Sequence, residues 1–207
     1  MKAINLEPTL RKAALSASLA AALCAALPAN AESTSANGNG ALSTTAHVDF
    51  SIVIPRFLSF RVGTAGATID LITFTVPAAS LGNATPVAGV GGDAGGGAEN
   101  VVVKGNGGQI TITETNNSAG AGLTNGLGDA IPYSQITTTS SDAANLPAPV
   151  LSNGSSNTAQ PVISSGQVTN RSATWTYAYA NTAFPGAGTY GGVNVNGGRV
   201  TYTAAMP

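Results

Sequence analysis

Few side chains in this sequence could do chemistry, and they are widely spaced. His47 is the only histidine, and Asp49 follows it two residues later. A Ser-His-Asp site needs an imidazole oriented by a carboxylate beside an activated serine, and the chain has no nucleophile-elbow sequence. A single histidine and a single cysteine, Cys24, also fall short of the usual zinc ligand set. The sequence therefore predicts that the protein is not an enzyme and binds no cofactor.

Carboxylates are the remaining reactive groups. Two carboxylates that face each other can cleave a glycosidic bond, but this chain has no local motif that pairs them. The acidic residues after the first 46 positions are Asp49, Asp70, Asp93, Glu99, Glu114, Asp129 and Asp142. Their spacing alone does not predict a glycosidase.

A glycine-rich stretch spans residues 88–100 and suggests a phosphate-binding loop at first sight. No Gly-Lys-Ser/Thr sequence closes it and no helical pattern follows, so a phosphate loop is not predicted. We expect a long flexible loop instead. Asp93, Glu99 and Asn100 could offer oxygen ligands to calcium, although their spacing matches neither an EF-hand nor the glycine-aspartate nonapeptide repeat. Calcium binding is left open by the sequence.

The first 31 residues have the pattern of a secretory signal peptide. Positive residues, the last of them Lys12, precede an apolar run over residues 13–27, and Ala29-Asn30-Ala31 follows as a small-x-small cleavage site. The apolar run is shorter than the roughly 20 residues that a membrane span requires. We expect cleavage after Ala31, passage through the periplasm, and a mature protein that is secreted or held at the cell surface without a membrane span.

Removal of this leader changes the chemistry of what remains. The mature chain would keep five basic and eight acidic residues, a net charge of about −3, with no basic stripe that could bind nucleic acid. Cys24 would leave with the leader, so the mature protein could form no disulfide. Packing and hydrogen bonds alone must stabilise its fold.

The start of the mature chain divides into two parts. Residues 32–46 are small and polar, and we expect them to form a flexible arm. From His47 the sequence alternates with a period of two, which predicts a β-strand over residues 47–54. Its apolar face consists of Val48, Phe50, Ile52 and Ile54, and Pro55 ends it.

Further strands are predicted at short intervals after this point. Turn-rich segments separate them, and no helical period of useful length follows the leader. The predicted strands lie near residues 58–62, 68–76, 101–104, 109–115, 134–139, 161–168, 172–180 and 199–206. The fold class is therefore all-β, and we expect a single antiparallel β-sandwich domain, immunoglobulin-like or pilin-like, over residues 47–207.

The last two predicted strands carry most of the aromatic side chains. Trp175, Tyr177 and Tyr179 share one face of the first. We expect them to pack in the core, while a ligand-binding aromatic platform would require them to be exposed. The terminal strand also alternates, and its predicted core residues are Val200, Tyr202, Ala204 and Met206.

This layout resembles that of Gram-negative fimbrial subunits, the spore-coat-U-like and chaperone–usher pilins. The shared features are the signal peptide, the polar arm, the alternating segment at Val48, Phe50, Ile52 and Ile54, and a Thr/Gly/Asn-rich β domain that ends inside a strand. Two features depart from such subunits: the common disulfide is absent, and the chain ends Ala205-Met206-Pro207 without a penultimate tyrosine. The resemblance implies donor-strand exchange, in which a neighbour's N-terminal segment completes a subunit that lacks one strand.

Two uses of the alternating segment remain open at this stage. It could be donated to a neighbouring subunit, or it could form the first strand of a self-sufficient domain. The first predicts a structural subunit of a filament or surface coat that associates with itself or with other subunits, and with a periplasmic chaperone. The second predicts a monomeric secreted binding module or adhesin, with a carbohydrate or surface ligand.

Overall fold

The computed structural model describes residues 34–154 and 156–207. The predicted signal peptide, residues 1–31, lies outside the described residues. The chain divides into two units, residues 1–53 and residues 54–207. Every strand of the described residues belongs to the second unit, and these residues contain no α-helix. Within the described part of the chain, no helix is both long and apolar enough to cross a membrane.

The larger sheet is built around two long antiparallel strands, β5 (Ala98–Gly105) and β11 (Thr169–Tyr179). Strand β1 (Leu58–Val62) pairs with the other side of β5. Strands β3 (Val87–Ala88) and β9 (Ile136–Ser140) pair with β11, so the sheet has five strands. The alternation of side chains along β5 fits its central position: from Val101, every second residue points into the core, while Lys104 faces out.

The second sheet has three antiparallel strands. Strand β6 (Thr111–Asn116) lies between β10 (Asn157–Ala159) and β12 (Val200–Ala205). The long ladder runs between β6 and β12 and pairs Ala205 with Thr111 at one end and Val200 with Asn116 at the other. Within the described chain, β10 and β12 are therefore the two edges of this sheet.

Two small ladders complete the fold. Strand β2 (Ile72–Thr73) pairs with β4 (Val90–Gly91), and β7 (Leu123–Thr124) pairs with β8 (Ala130–Ile131). Single turns of 3₁₀-helix lie at Ala78–Ser80 and Tyr133–Gln135.

Side chains from both larger sheets meet in one core. Val101, Val103 and Trp175 come from the larger sheet and Ile112 from the smaller, and each is fully buried. Tyr133, from the second 3₁₀ turn, joins them. This shared burial is the main source of stability, because the described domain contains no disulfide.

The structure agrees with most of the strand predictions and contradicts two. Residues 47–54 were expected to be a strand but lie outside every strand of the described chain. Residues 161–168 were also expected to be a strand, but the strand that pairs with β6 is the shorter β10, which ends at Ala159. Of residues 68–76, only Ile72 and Thr73 are in a ladder. The all-β class itself is confirmed.

The glycine-rich stretch is more regular than the predicted loop. It contains β4 and the beginning of β5, and the turn between them is held by hydrogen bonds from the Gly97 N–H to the Gly91 carbonyl and from the Ala94 N–H to the Ala98 carbonyl. Gly97 has a φ of 75°, and a Cβ there would lie 2.6 Å from the Gly89 Cα. Glycine is needed at this position for both its backbone conformation and its close approach.

Candidate functional site

The predicted donor residues are among the most exposed apolar side chains of the described chain. The exposed fractions are 89% for Phe50, 85% for Ile52, and 74% for both Val48 and Ile54. Val53, on the opposite face of the alternation, is 89% exposed as well. Burying four such side chains would contribute roughly 6–12 kcal/mol gross, at about 1.5–3 kcal/mol each. An apolar segment of this kind normally marks a surface that another molecule covers.

Strand β1 forms one open border of the core. It pairs only with β5, so its other edge has no ladder partner among the described residues. Its inward-facing residues Leu58, Phe60 and Val62 pack against the core but are only half-buried. The β5 valines that pair with Phe60 and Val62 are completely buried. The side chains of β1 are less buried because no further strand lies on the other side of β1 within the described chain.

Strand β12 forms a second open border. Among the described residues it pairs only with β6, and its inward-facing residues are also half-buried. The predicted core residues of the terminal strand, which are Val200, Tyr202, Ala204 and Met206, therefore pack against the core without being enclosed by it. The Tyr202 ring lies edge-on to Trp175 at 5.3 Å, and its hydroxyl is 3.0 Å from that of Tyr177.

The two open borders meet at one end. β1 contacts β12 although the two strands belong to different sheets. The Gly107 N–H donates to the Met206 sulfur at 3.1 Å, and a Cβ on Gly105 would lie 3.2 Å from the Met206 sulfur and 3.3 Å from the Phe57 carbonyl oxygen. We use the name open groove for the half-buried side chains of β1 and β12 together with the unpaired edges of these two strands. Both strands alternate between half-buried apolar residues and exposed residues, and each has one backbone edge that is unpaired within the described chain. A further strand could add to such an edge.

The aromatic residues of β11 are buried. Trp175 is fully enclosed, and Tyr177 and Tyr179 are less than one-tenth exposed. The Trp175 indole N–H donates to the Leu146 carbonyl at 3.4 Å. The prediction of core packing is confirmed for these three residues, and an aromatic binding platform on β11 is excluded.

A shallow depression opens on the larger sheet beside these strands. Its polar lining comes from Arg61, Asn100, Ser141, Ser172 and Thr174. No aromatic ring lines it. A sugar bound there would lack the stacking surface that most carbohydrate sites provide.

Three carboxylates that the sequence showed only as scattered residues come together in space. One oxygen from each of Asp70, Asp93 and Glu99 lies within 4.8 Å of the others. Gly63, directly after β1, has a φ of 78° and leaves room for this cluster, since a Cβ there would collide with Asp70 and Glu99. The ladder between β2 and β4 brings Asp70 to the glycine-rich stretch, and these two-residue strands leave no signal in the sequence that could have predicted the cluster.

Hydrogen bonds fix each of these carboxylates. The Thr64 N–H donates to Asp70 at 2.6 Å, the Asn100 N–H donates to Asp93 at 2.6 Å, and the Asp93 N–H donates to Glu99 at 3.1 Å. Asn100 thus serves as a hydrogen-bond donor to Asp93.

The pKa values of Glu99 and Asp93 are shifted in opposite directions. Burial and the neighbouring carboxylates Asp70 and Asp93 raise the pKa of Glu99 to about 7, against the opposing effect of the Asp93 N–H. Burial alone would raise the pKa of Asp93, but the hydrogen bonds from Asn100 and the nearby Arg61 charge lower it overall. With a pKa of about 7, Glu99 can hold a proton near neutral pH. It is therefore the best-placed acid–base group of the described chain.

His47 and Asp49 are both exposed. The carboxylate cluster draws its members from the β domain and includes neither residue. The predicted donor residues and the open groove remain the most distinctive features of the molecule.

Comparison with known proteins gives no match, either to a protein-family model or to a curated sequence. The functional argument therefore depends on the geometry of this chain.

Proposed function

We propose that this protein is a structural subunit of an extracellular filament or surface coat, and that its subunits join by strand addition. In this proposal, residues 47–54 of one subunit lie in the open groove of a second copy. The subunit is then a pilin-like β-sandwich that lacks one strand. The observation that carries the proposal is the exposure of Val48, Phe50, Ile52 and Ile54 in a protein whose core is open along β1 and β12.

The chemistry of the two partners is complementary. The donor segment presents an apolar residue at every second position, and the half-buried residues on both borders of the groove follow the same two-residue period. Main-chain hydrogen bonds to the free edges of β1 and β12 would supply affinity, and the alternate side chains would set the register. Self-association of this kind removes from water both the segment and the groove.

Export fits the same proposal. The pattern of residues 1–31 predicts secretion through the periplasm, where a folding subunit with an open core would require protection. A periplasmic chaperone that lends a strand to the same groove is the partner that we expect before assembly.

The rival proposal of a monomeric carbohydrate-binding module has less support. It requires an exposed aromatic platform or a deep polar cleft, whereas Trp175, Tyr177 and Tyr179 are buried and the depression beside Arg61 has no aromatic lining. Adhesion to a surface would then be a property of the assembled filament.

The test compares two charged substitutions in the donor segment of the mature protein. Ile52→Asp places a carboxylate among the apolar side chains that would enter the groove, and Ser51→Asp places the same group on the opposite face. We expect wild-type protein and Ser51→Asp to polymerise, and Ile52→Asp to remain a folded monomer, because residue 52 is exposed in the single subunit. Light scattering after size-exclusion chromatography and negative-stain microscopy measure the outcome.

Two results would count against the proposal. A wild-type protein that stays monomeric at high concentration without a chaperone strand bound to it is one. An Ile52→Asp variant that unfolds is the other, because it would place the segment in the core of its own chain.

A further inference from the structure

The smaller sheet contains a carboxyl group that no part of the proposed assembly uses. Glu114 lies on β6, the central strand, and is completely buried. In the ladders it stands opposite Asn157 of β10 and Tyr202 of β12. Tyr202 is one of the residues that line the open groove, so Glu114 is one strand away from the proposed donor site.

The hydrogen bonding of Glu114 is incomplete. One carboxyl oxygen accepts from the Asn116 side-chain amide at 2.9 Å, and that amide also donates to the Ser152 carbonyl at 2.7 Å. The other oxygen, Oε2, is buried and has no hydrogen-bond partner among the described residues. A buried neutral carboxyl with one unpaired oxygen costs little compared with a buried unpaired charge.

The groups around Glu114 compensate a negative charge only in part. The titratable side chains that face it are Tyr133, from the second 3₁₀ turn, and Tyr202, from β12. The Tyr202 hydroxyl is hydrogen-bonded to that of Tyr177 of β11. The side that β10 covers presents Asn157, which is neutral. Burial raises the pKa of Glu114, the amides of Asn116 and Asn157 oppose this rise only in part, and no lysine or arginine contributes.

We propose that Glu114 is a proton-dependent latch for the smaller sheet: it stays protonated while β6 is enclosed by β10 and β12, and loss of its proton loosens β12 and with it one border of the open groove. When the sheet edge opens, the carboxyl proton passes to a base in the solvent and water hydrates the carboxylate. β12 is able to yield because it has a ladder partner on one side only.

The sign of the pH effect follows from the buried acid. A folded-state pKa above the unfolded value stabilises the fold fully below the unfolded pKa, and this stabilisation is lost as the pH rises through the folded pKa. The assembled protein should therefore tolerate acid better than alkali. Only the consequence for the groove rests on the proposed function, because the latch itself is a property of the single subunit.

The experiment measures hydrogen exchange and thermal unfolding of the mature protein from acid to alkaline pH, with Glu114→Gln as the isosteric neutral variant and Glu99→Gln as a matched control. In the wild type and in Glu99→Gln, protection factors for the Tyr202 and Ala204 amides should fall as the pH rises. In Glu114→Gln this fall should be smaller than in the wild type, and only the part that is due to Glu99 should remain. The midpoint of unfolding of Glu114→Gln should lose its share of the pH dependence, roughly 3–5 °C for each unit by which the pKa of Glu114 is raised.

A second measurement keeps the proposal falsifiable if Glu114→Gln folds poorly. The side-chain carboxyl carbon of Glu114, observed by NMR in the unmodified protein, should titrate above the ordinary glutamate value of 4.5. Titration at the ordinary value, or β12 protection factors that do not change with pH, would overturn the latch. Assembly of the Glu114→Gln variant is scored separately, so that a failure of strand addition cannot be mistaken for a failure of the latch.

Discussion

Some of the side chains that form the candidate sites can be recognised from the sequence alone, and others only from the folded structure. The exposed apolar residues of the donor segment could be predicted, because their two-residue spacing is local and needs no knowledge of the fold. The carboxylate cluster of Asp70, Asp93 and Glu99 could not, since its members are up to 29 positions apart and meet only through the pairing of β2 with β4. Burial, which determines the charge of Glu99, is likewise a property of the folded chain.

At this scale we predict that Glu99 makes stability depend on pH. Its folded-state pKa of about 7 exceeds the ordinary value of 4.5, so the stabilisation by its protonated form is complete below pH 4.5 and is lost as the pH rises through 7. The Glu99→Gln variant should lack this loss, which we expect to be about 1–3 kcal/mol in the free energy of unfolding. Urea unfolding at pH 4.5 and at pH 8 measures it. An unchanged pH dependence in Glu99→Gln would contradict the assignment.

The strands show which local patterns are sufficient to predict an element. Residues 101–104, 109–115, 172–180 and 199–206 lie almost entirely within β5, β6, β11 and β12, because long alternating runs bury one face and specify their own register. The two-residue strands β2, β3, β4, β7 and β8 are too short to show a period. Residues 161–168 were predicted wrongly, since the polar run Asn157–Ala159 pairs with β6 although its sequence gives no apolar alternation.

The open groove could not be predicted at all. Its existence depends on which strands are neighbours: β1 and β12 are at the edges of different sheets, and no local sequence feature shows that either lacks a partner. The exposed segment over residues 47–54 shows a similar limit. Its alternation predicted a strand, but it could not show with which chain that strand would pair.

A prediction at the scale of elements separates the donor segment from the core strands. Ile112→Ala removes a fully buried side chain from β6 and should cost about 2–5 kcal/mol of subunit stability. Ile52→Ala removes the same atoms from a side chain that is 85% exposed and should change the stability of the monomer by no more than about 0.5 kcal/mol. Denaturant unfolding at concentrations too low for assembly measures both. Equal losses would mean that the segment belongs to its own subunit's core.

At the scale of the whole molecule, the chain combines a buried core with two apolar surfaces that stay open, one along residues 47–54 and one between β1 and β12. Hydrophobic burial drives association whenever such surfaces can meet, and strand addition also satisfies free backbone groups. A donor segment and an acceptor groove on every copy give a head-to-tail contact, which generates an open filament when the rotation between copies does not close a ring.

The most direct test joins the two surfaces covalently. Cys24 is the only cysteine of the sequence, so protein prepared from residue 32 onward contains none and single cysteines can be placed freely. Ser51→Cys in one preparation is co-assembled with Thr203→Cys on β12 or Ser59→Cys on β1 in another, and Thr139→Cys on β9 serves as the exposed control. Because each chain carries one cysteine, any mixed disulfide joins two subunits.

We predict mixed disulfides, identified by mass spectrometry, between Ser51→Cys and the cysteines on β1 and β12, and none with the cysteine on β9. Mixed disulfides that form equally at all three positions, or at none of them in assembled material, would contradict strand addition in the open groove.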